Sequence, residues 1–358
     1  SLLRNMIPLM TADDVRSHVI FFYHDAETIS DFARICQTAH CLHLSSSYPR
    51  GLWQYSRLLK KIAPDILHSH SFQPLVWTSL LGPWGGRYVT TVHSNYPYFT
   101  PQTVKDYAKR IIEKFVLKQR GTRTVAVGKD VYTLLAGLGV PTRNLSLIEN
   151  GVDVAGYSFD ARARAYIRRE LGIGIDQFAF VTLGRLDNAT KGYDILLQAF
   201  KRTYQQYENT VLIFIGDGPD GGKLVDMATR LGIARQVKFI GFKKNPAHYL
   251  LAGDAYVCSS VIEGFGLAVA EALLCGLPVI ATRVGAIPEM ITHGVSGILV
   301  EPNDPGAIAA ALGDFIRRRY PLAEMAQLGK QQVAEKYDIK KTAAAYVSLY
   351  RSVMASPC

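Results

Sequence analysis

The chain is poor in cysteine, acidic residues and long apolar runs. Its 358 residues include five cysteines, scattered and odd in number. That pattern excludes a disulfide framework and favours reduced thiols in a cytoplasmic setting. No apolar stretch reaches the roughly twenty residues a bilayer-crossing helix needs. No short repeat, low-complexity tract or Lys/Arg run of nucleic-acid type is present, and no nucleic-acid module is recognisable. No cluster of Asp, Glu and Cys has metal-ligand spacing, so no metal is expected. The acid deficit is plain: 40 Lys+Arg against 30 Asp+Glu, formal charge +10 and pI about 9.3. A basic balance calls for an anionic partner, and an anionic membrane surface ranks above nucleic acid. With 48% hydrophobic and 20% charged residues the composition is that of a globular protein.

What is present is alternation. Apolar strand-like runs stand at Val19–Tyr23, Cys41–Leu44, Asp65–His68, Tyr88–His93, Thr122–Val127 and Leu145–Ile148, and from Cys41–Leu44 onward helical patterns separate them. A second series follows at Phe178–Leu183, Val211–Ile215, Val237–Ile240, Ala255–Ser259, Pro278–Ala281 and Gly297–Val300. Strands alternating with helices predict parallel sheets covered on both faces. The predicted fold class is α/β, with two doubly wound Rossmann-like domains facing across a cleft. Val19–Tyr23, apolar on both faces, is expected to be a central strand.

The most informative stretch is Ser259–Pro278, S-S-V-I-E-G-F-G-L-A-V-A-E-A-L-L-C-G-L-P. It predicts strand, tight loop, then a helix from Leu267 to Cys275. Gly264 and Gly266 let the backbone approach a ligand closely. The first helix amides lack internal partners and favour an anion, usually phosphate. Glu263 and Glu271 are misplaced beside phosphate unless they accept from hydroxyl donors, and sugars and ribose supply these. The loop thus reads as a nucleotide-sugar site. The plain alternative is a solvated loop with surface glutamates, and this motif alone does not separate the two.

Other strand ends add weight. Gly184-Arg185-Leu186-Asp187-Asn188-Ala189-Thr190-Lys191-Gly192 follows a strand, where ligands of parallel sheets sit. Arg185 and Lys191 could clamp a diphosphate as a planar fork and a point charge. Gly216-Asp217-Gly218-Pro219 follows another strand and is also compatible with a simple turn. His68 and His70, two apart on a strand, share a face. Polar lining of the cleft is the plainer account of them than a metal pair. His93 ends a further strand. Asn150-Gly151-Val152-Asp153 reads as a hinge.

The order T-V-H-S, N-G-V-D, G-R-L-x(5)-K-G, I-G-D-G-P and E-G-F-G-L-x-x-x-E resembles the retaining glycosyltransferases of the GT-B fold, family four (group one). G-L-P-V-I-A-T, then Gly285–Glu289 and Gly294–Val300, are also similar. The resemblance implies transfer of a sugar from a UDP- or GDP-linked donor to a glycan or lipid-linked saccharide. It implies a front-face mechanism with retention and no metal. Arg185 and Lys191 would hold the diphosphate, Glu263 the transferred sugar and Glu271 the ribose. Phe265, Gly266 and Leu267 would present amides, and Phe242 and Lys243 would flank the base. Gly184, Gly216 and Gly218 would shape the donor loops, and His93 would face the sugar. The expected setting is cytoplasmic, with peripheral attachment to the inner face of the membrane.

The domains read as residues 1–152 for the acceptor, 153–338 for the donor, and a helix at 339–358 packing back on the first. The family pattern opens with a strand and a Gly-rich loop, which the first domain is expected to lack. Two further readings stay open: an inactive nucleotide-sugar-binding module, and an epimerase or phosphorylase on the same architecture.

Overall fold

The computed structural model describes residues 2–23, 26–43, 48–82, 87–94, 104–118, 122–157 and 161–355. The chain forms two compact units, Ser1–Asp153 with Tyr337–Cys358, and Val154–Lys336. Among the described residues no helix is long and apolar enough to cross a membrane.

Among the described residues the first unit holds two parallel sheets. β1 (His18–Phe21) pairs with β2 (Thr38–Cys41). β3 (Ile66–Ser69), β4 (Arg87–Val92), β5 (Thr122–Ala126) and β6 (Leu145–Leu147) form the second sheet in that order. The expectation of a buried central strand at Val19–Tyr23 is corrected here. β1 is only half-buried, and among the described residues it pairs with β2 alone. Its flank, with that of β3, opens on a cavity of about 1010 Å³ lined by Ile20, Phe22, Tyr55, Ile66, Leu67 and Val347 among others. β2 also lies three residues earlier than Cys41–Leu44, and Leu44 falls outside the described residues.

The core of this unit joins distant parts of the chain. Leu2, Met6, Ile7 and Met10 of helix Leu2–Thr11 cluster with Ile339, Ala343, Tyr346 and Val347 of helix Ile339–Ala355. Asn150–Asp153 turns against the start of that terminal helix. The Val152 amide donates to the Tyr337 carbonyl at 2.8 Å, and the Ile339 amide donates to the Val152 carbonyl at 3.0 Å. A Cβ on Gly151 would stand 2.5 Å from the Ile339 Cα, so this crossing is tightly closed.

The second unit is one six-stranded parallel sheet. It contains β7 (Phe178–Leu183), β8 (Thr210–Ile215), β9 (Val237–Phe239), β10 (Ala255–Cys258), β11 (Val279–Thr282) and β12 (Ile298–Val300), in the order β12-β11-β10-β7-β8-β9. T-V-L-I-F-I in β8 is buried throughout, as a strand covered on both faces requires. Helix Tyr193–Tyr204 sets Tyr193 edge-on to Phe214 at 5.2 Å between ring centres. At the other end of the sheet Asp254 accepts from Arg164 at 2.6 Å, Arg168 at 3.2 Å and the Ala179 amide at 2.8 Å. That knot ties the entries of β7 and β10. The strand order runs outward from β7 to β9, then returns to place β10 on the opposite side of β7. Loops leaving the carboxyl ends of β7 and β10 therefore diverge at the topological switch point, where doubly wound sheets bind ligands.

Candidate active site

The loops after β7 and β10 are tied together at this switch point. Residues Asn188–Lys191 form a short helical turn. The Asn188 amide donates to Asp220 Oδ2 at 2.9 Å, which fixes its start. The turn brings the Lys191 ammonium onto Glu263 Oε1 as a direct ion pair. Ser260 Oγ donates to the same carboxylate oxygen at 2.9 Å. The backbone is stitched as well: the Val261 amide donates to the Thr190 carbonyl at 2.9 Å, and Ser259 Oγ to the Lys191 carbonyl at 2.9 Å. From β11, Thr282 Oγ1 donates to the Ser260 carbonyl at 2.6 Å.

The pair is withdrawn from solvent without being sealed, at 22% exposure for Lys191 and 15% for Glu263. Burial presses the lysine toward its neutral form. The Glu263 charge, then Cys258, the Glu263 hydrogen bond and Asp187 in falling order, outweigh this and leave its pKa raised. Lys191 is therefore a fixed cation at neutral pH.

Behind the pair, the β7 and β8 loops interlock through glycine. The Gly184 amide donates to Ile215 O and the Leu186 amide to Asp217 O, both at 3.0 Å. A Cβ on Gly216, whose φ is 135°, would stand 2.0 Å from the Gly184 carbonyl oxygen. No other residue fits there. A Cβ on Gly218 would stand 2.6 Å from the backbone of Leu186, also too close to fit. The Gly216 amide donates to Gly241 O at 2.9 Å, which brings the end of β9 alongside. There Phe242 is exposed, and Lys243 lies over the Tyr249 ring at 4.7 Å.

The loop after β10 turns into helix Leu267–Leu274 through Gly266, whose φ of 94° suits glycine. Phe265 is buried, so it can offer a ligand only its backbone. Glu271 is half-buried five residues into the helix. Burial raises its carboxyl pKa, and a hydrogen bond from Tyr157 opposes the rise. Arg185 is exposed on the β7 loop.

His93 belongs to the first unit. His70 Nδ1 lies 3.0 Å from His93 Nε2. His68 does not simply line a surface: its Nδ1 meets the Tyr350 hydroxyl at 2.6 Å and its Nε2 meets Thr91 Oγ1 at 2.8 Å. Burial, with repulsion from His93, pushes its pKa down to about 3. Both ring nitrogens are engaged, so His68 is a structural polar residue. Among the described residues no group of three His, Cys, Asp or Glu side chains is arranged to hold a metal ion. Ser260 and Tyr157, which hold the two glutamates, were missed by the sequence reading. Ser260 had a faint signal, three residues before Glu263 within one loop. Tyr157 had none.

A doubly wound unit with cations, carboxylates and glycine turns gathered at its switch point has the arrangement of ligand-binding α/β proteins. The family comparisons make this specific. The profile of glycosyl transferases group 1 matches residues 164–332, and that of glycosyltransferase family 4 matches residues 3–155. The chain is 30% identical over 312 residues to D-inositol 3-phosphate glycosyltransferase of Corynebacterium urealyticum, covering 82% of this chain and 72% of that one. It is 28% identical over 296 residues to N-acetyl-alpha-D-glucosaminyl L-malate synthase of Bacillus anthracis, covering 81% and 75%. Anabaena HepE in complex with UDP-glucose superposes with TM-score 0.86 at 21% identity, over 98% of this chain and 95% of that one. Sucrose-phosphate synthase of Thermosynechococcus elongatus gives TM-score 0.81 at 19% identity, over 99% and 92%. The chain belongs to the group 1, family 4 glycosyltransferases, and its fold is GT-B.

Proposed function

We propose that this glycosyltransferase moves a hexosyl group, with retention, from a UDP- or GDP-linked sugar to a glycan or lipid-linked saccharide. The observation that carries the reading is the Lys191–Glu263 pair joining the β7 and β10 loops at the switch point. An ion pair held between two strand ends can open to a ligand that offers an anion to the lysine and hydroxyl donors to the carboxylate. The diphosphate takes Lys191 and Arg185; the transferred sugar takes Glu263. The amides of Phe265, Gly266 and Leu267 face the phosphate and sugar, and Glu271 accepts from the ribose hydroxyls. Gly184, Gly216 and Gly218 give the close backbone approach, with Phe242 and Lys243 flanking the base. The HepE structures carry UDP and UDP-glucose, which supports a donor of this class.

In this mechanism the bond from sugar to phosphate breaks while Lys191 and Arg185 neutralise the leaving charge. That is the electrostatic role a metal plays in other transferases. The acceptor hydroxyl attacks from the same face and passes its proton to the leaving phosphate, so no protein nucleophile is required. Glu263 opposes the positive charge that grows on the sugar ring. The setting is the cytoplasm, with reversible attachment to the inner membrane face. A thermal-shift screen of nucleotide sugars tests the donor. At a hundred times its dissociation constant the right one adds about 2.7 kcal/mol. A panel in which no nucleotide sugar stabilises the protein, and none is hydrolysed or transferred, overturns the reading.

A further inference from the structure

We propose that His70 is a positioning residue for sugar transfer, holding the His93 ring by one hydrogen bond and by stacking so that His93 meets a substrate hydroxyl through its Nδ1. His70 follows β3 and His93 follows β4, neighbouring parallel strands that pair Ser69 with Thr90. Both histidines therefore stand at the carboxyl ends of their strands, the side on which α/β sheets take ligands. His70 Nδ1 lies 3.0 Å from His93 Nε2, and the two rings stack with centres 5.3 Å apart and planes at 27°. One ring nitrogen of His93 is thus taken. Its Nδ1 has no partner among the described residues, and the side chain is exposed.

The stack continues inward from His70. The ring centres of His68 and His70 are 4.1 Å apart, as two residues of one strand face allow. His68 is held at both nitrogens, by the Tyr350 hydroxyl and by Thr91 Oγ1, which also bonds the Tyr346 hydroxyl at 2.9 Å. Helix Ile339–Ala355 thereby anchors an array of histidine rings with His93 at its open end. Burial, with repulsion from His68 and His93, holds His70 well below the usual imidazole pKa, and burial holds His93 at about 4. Both rings are neutral at neutral pH, so a single proton lies between them: one nitrogen donates and the other accepts. The tautomer of His93 is then tied to that of His70, because the bond one ring nitrogen makes sets the state of the other. A ring free to turn would present either nitrogen; the held ring presents Nδ1 alone, and transfer gains from contacts already oriented. A sugar hydroxyl, which both donates and accepts, suits either tautomer. The role rests on the sugar transfer proposed above, whereas the holding of the ring does not.

The test uses the full chain labelled with 15N histidine. A 15N–15N coupling across the hydrogen bond should connect His70 Nδ1 to His93 Nε2 in the parent chain and vanish in His70→Phe, which keeps the stack but not the bond. Steady-state transfer, with the donor found in the nucleotide-sugar screen, gives the second readout. His70→Phe should lower kcat about tenfold, the worth of one hydrogen bond, while UDP and GDP affinities stay within about twofold. His70→Asn, whose amide reaches the place of Nδ1, should return kcat to within about threefold of the parent, and His70→Gln, whose amide lies one bond farther, should not. His93→Asn should likewise retain more activity than His93→Gln. Adding His70→Phe to His93→Gln should cost nothing further, since His70 acts through His93. Absence of the coupling in the parent, kcat indifferent to both His70→Phe and His70→Gln, or additive losses in the double variant overturn the proposal. A parent chain that binds neither nucleotide and transfers no sugar overturns the transferase reading instead, and the role of His70 falls with it.

Discussion

Neutralising Glu263 separates a catalytic ion pair from a merely structural one. Glu263→Gln keeps the size of the side chain and one acceptor oxygen for Ser260 Oγ, while removing the charge opposite Lys191. In the ligand-free protein it leaves a largely buried ammonium with weaker compensation. A hydrogen bond to a charged group is worth about 1.5–3 kcal/mol, and a unit of this size melts about 2–4 °C lower per kcal/mol. The melting temperature should therefore fall by roughly 3–12 °C. Turnover should fall for a different reason. Glu263 attracts the sugar most strongly when its ring is positive, so the same 1.5–3 kcal/mol is lost from the transition state, roughly ten- to hundredfold in kcat. Donor affinity should change by less than about threefold, because the ground-state sugar is neutral. Lys191→Met should weaken both donor affinity and kcat, and the double variant should be less impaired than the sum of the singles. The assays are thermal unfolding, calorimetric donor binding and steady-state transfer. A lower melting temperature with unchanged kcat would mean the pair only pins two loops. Unchanged values of both would mean the site lies elsewhere.

Glu271→Gln should do the opposite to stability. Burial raises this carboxyl's pKa in the folded state, so the folded protein holds its proton more tightly and loses stability as pH rises through that raised pKa. Removing the charge should leave the free protein at least as stable at pH 7 while donor affinity drops roughly tenfold; unimpaired affinity refutes the ribose role. Activity should survive EDTA, and loss restored by Mg²⁺ or Mn²⁺ would contradict the metal-free mechanism. His68, held down to about 3 from 6.5, costs stability as pH falls below about 6.5, because the unfolded chain takes up the proton first. A pH series of melting curves should show that fall, and His68→Gln should make it shallower, the rest staying with His70 and His93, which burial also holds low. Asp254→Ala strands Arg164 and Arg168 and should cost about 3–5 kcal/mol, read by chemical denaturation.

Much of the second unit was legible because its strands are short continuous apolar runs bounded by glycine, a signal that is local. Thr210–Ile215 and Ala255–Cys258 lie within a residue of where the pattern put them. The first unit was less legible. Helix Ala26–Ala33 went unseen: A-E-T-I-S-D-F-A is rich in weak helix formers and buries only Phe32. The turn Asn188–Lys191 was hidden because it is held by Asp220, a residue far along the chain. At the candidate site the glycines and charges were visible as motifs. Their support from Ser260, Thr282 and Tyr157 was not, because those bonds depend on which loops the sheet order brings side by side.

The terminal helix Ile339–Ala355 has a temporal consequence. It completes a core begun by Leu2, Met6 and Met10, so the first unit joins residues more than 300 positions apart around an inserted second unit. A chain emerging from the ribosome can close the six-stranded sheet as soon as residue 336 is free, but the first unit must wait for its final helix. We predict that the inserted unit becomes protease-resistant first, and that chains stalled after Lys336 leave the apolar face of helix Leu2–Thr11 uncovered. Equal resistance of both units in such stalled chains would show that the terminal helix is dispensable for closure. If instead the inserted unit resists first, the transferase assembles from the middle outward, with its six-stranded unit in place before the first unit can close.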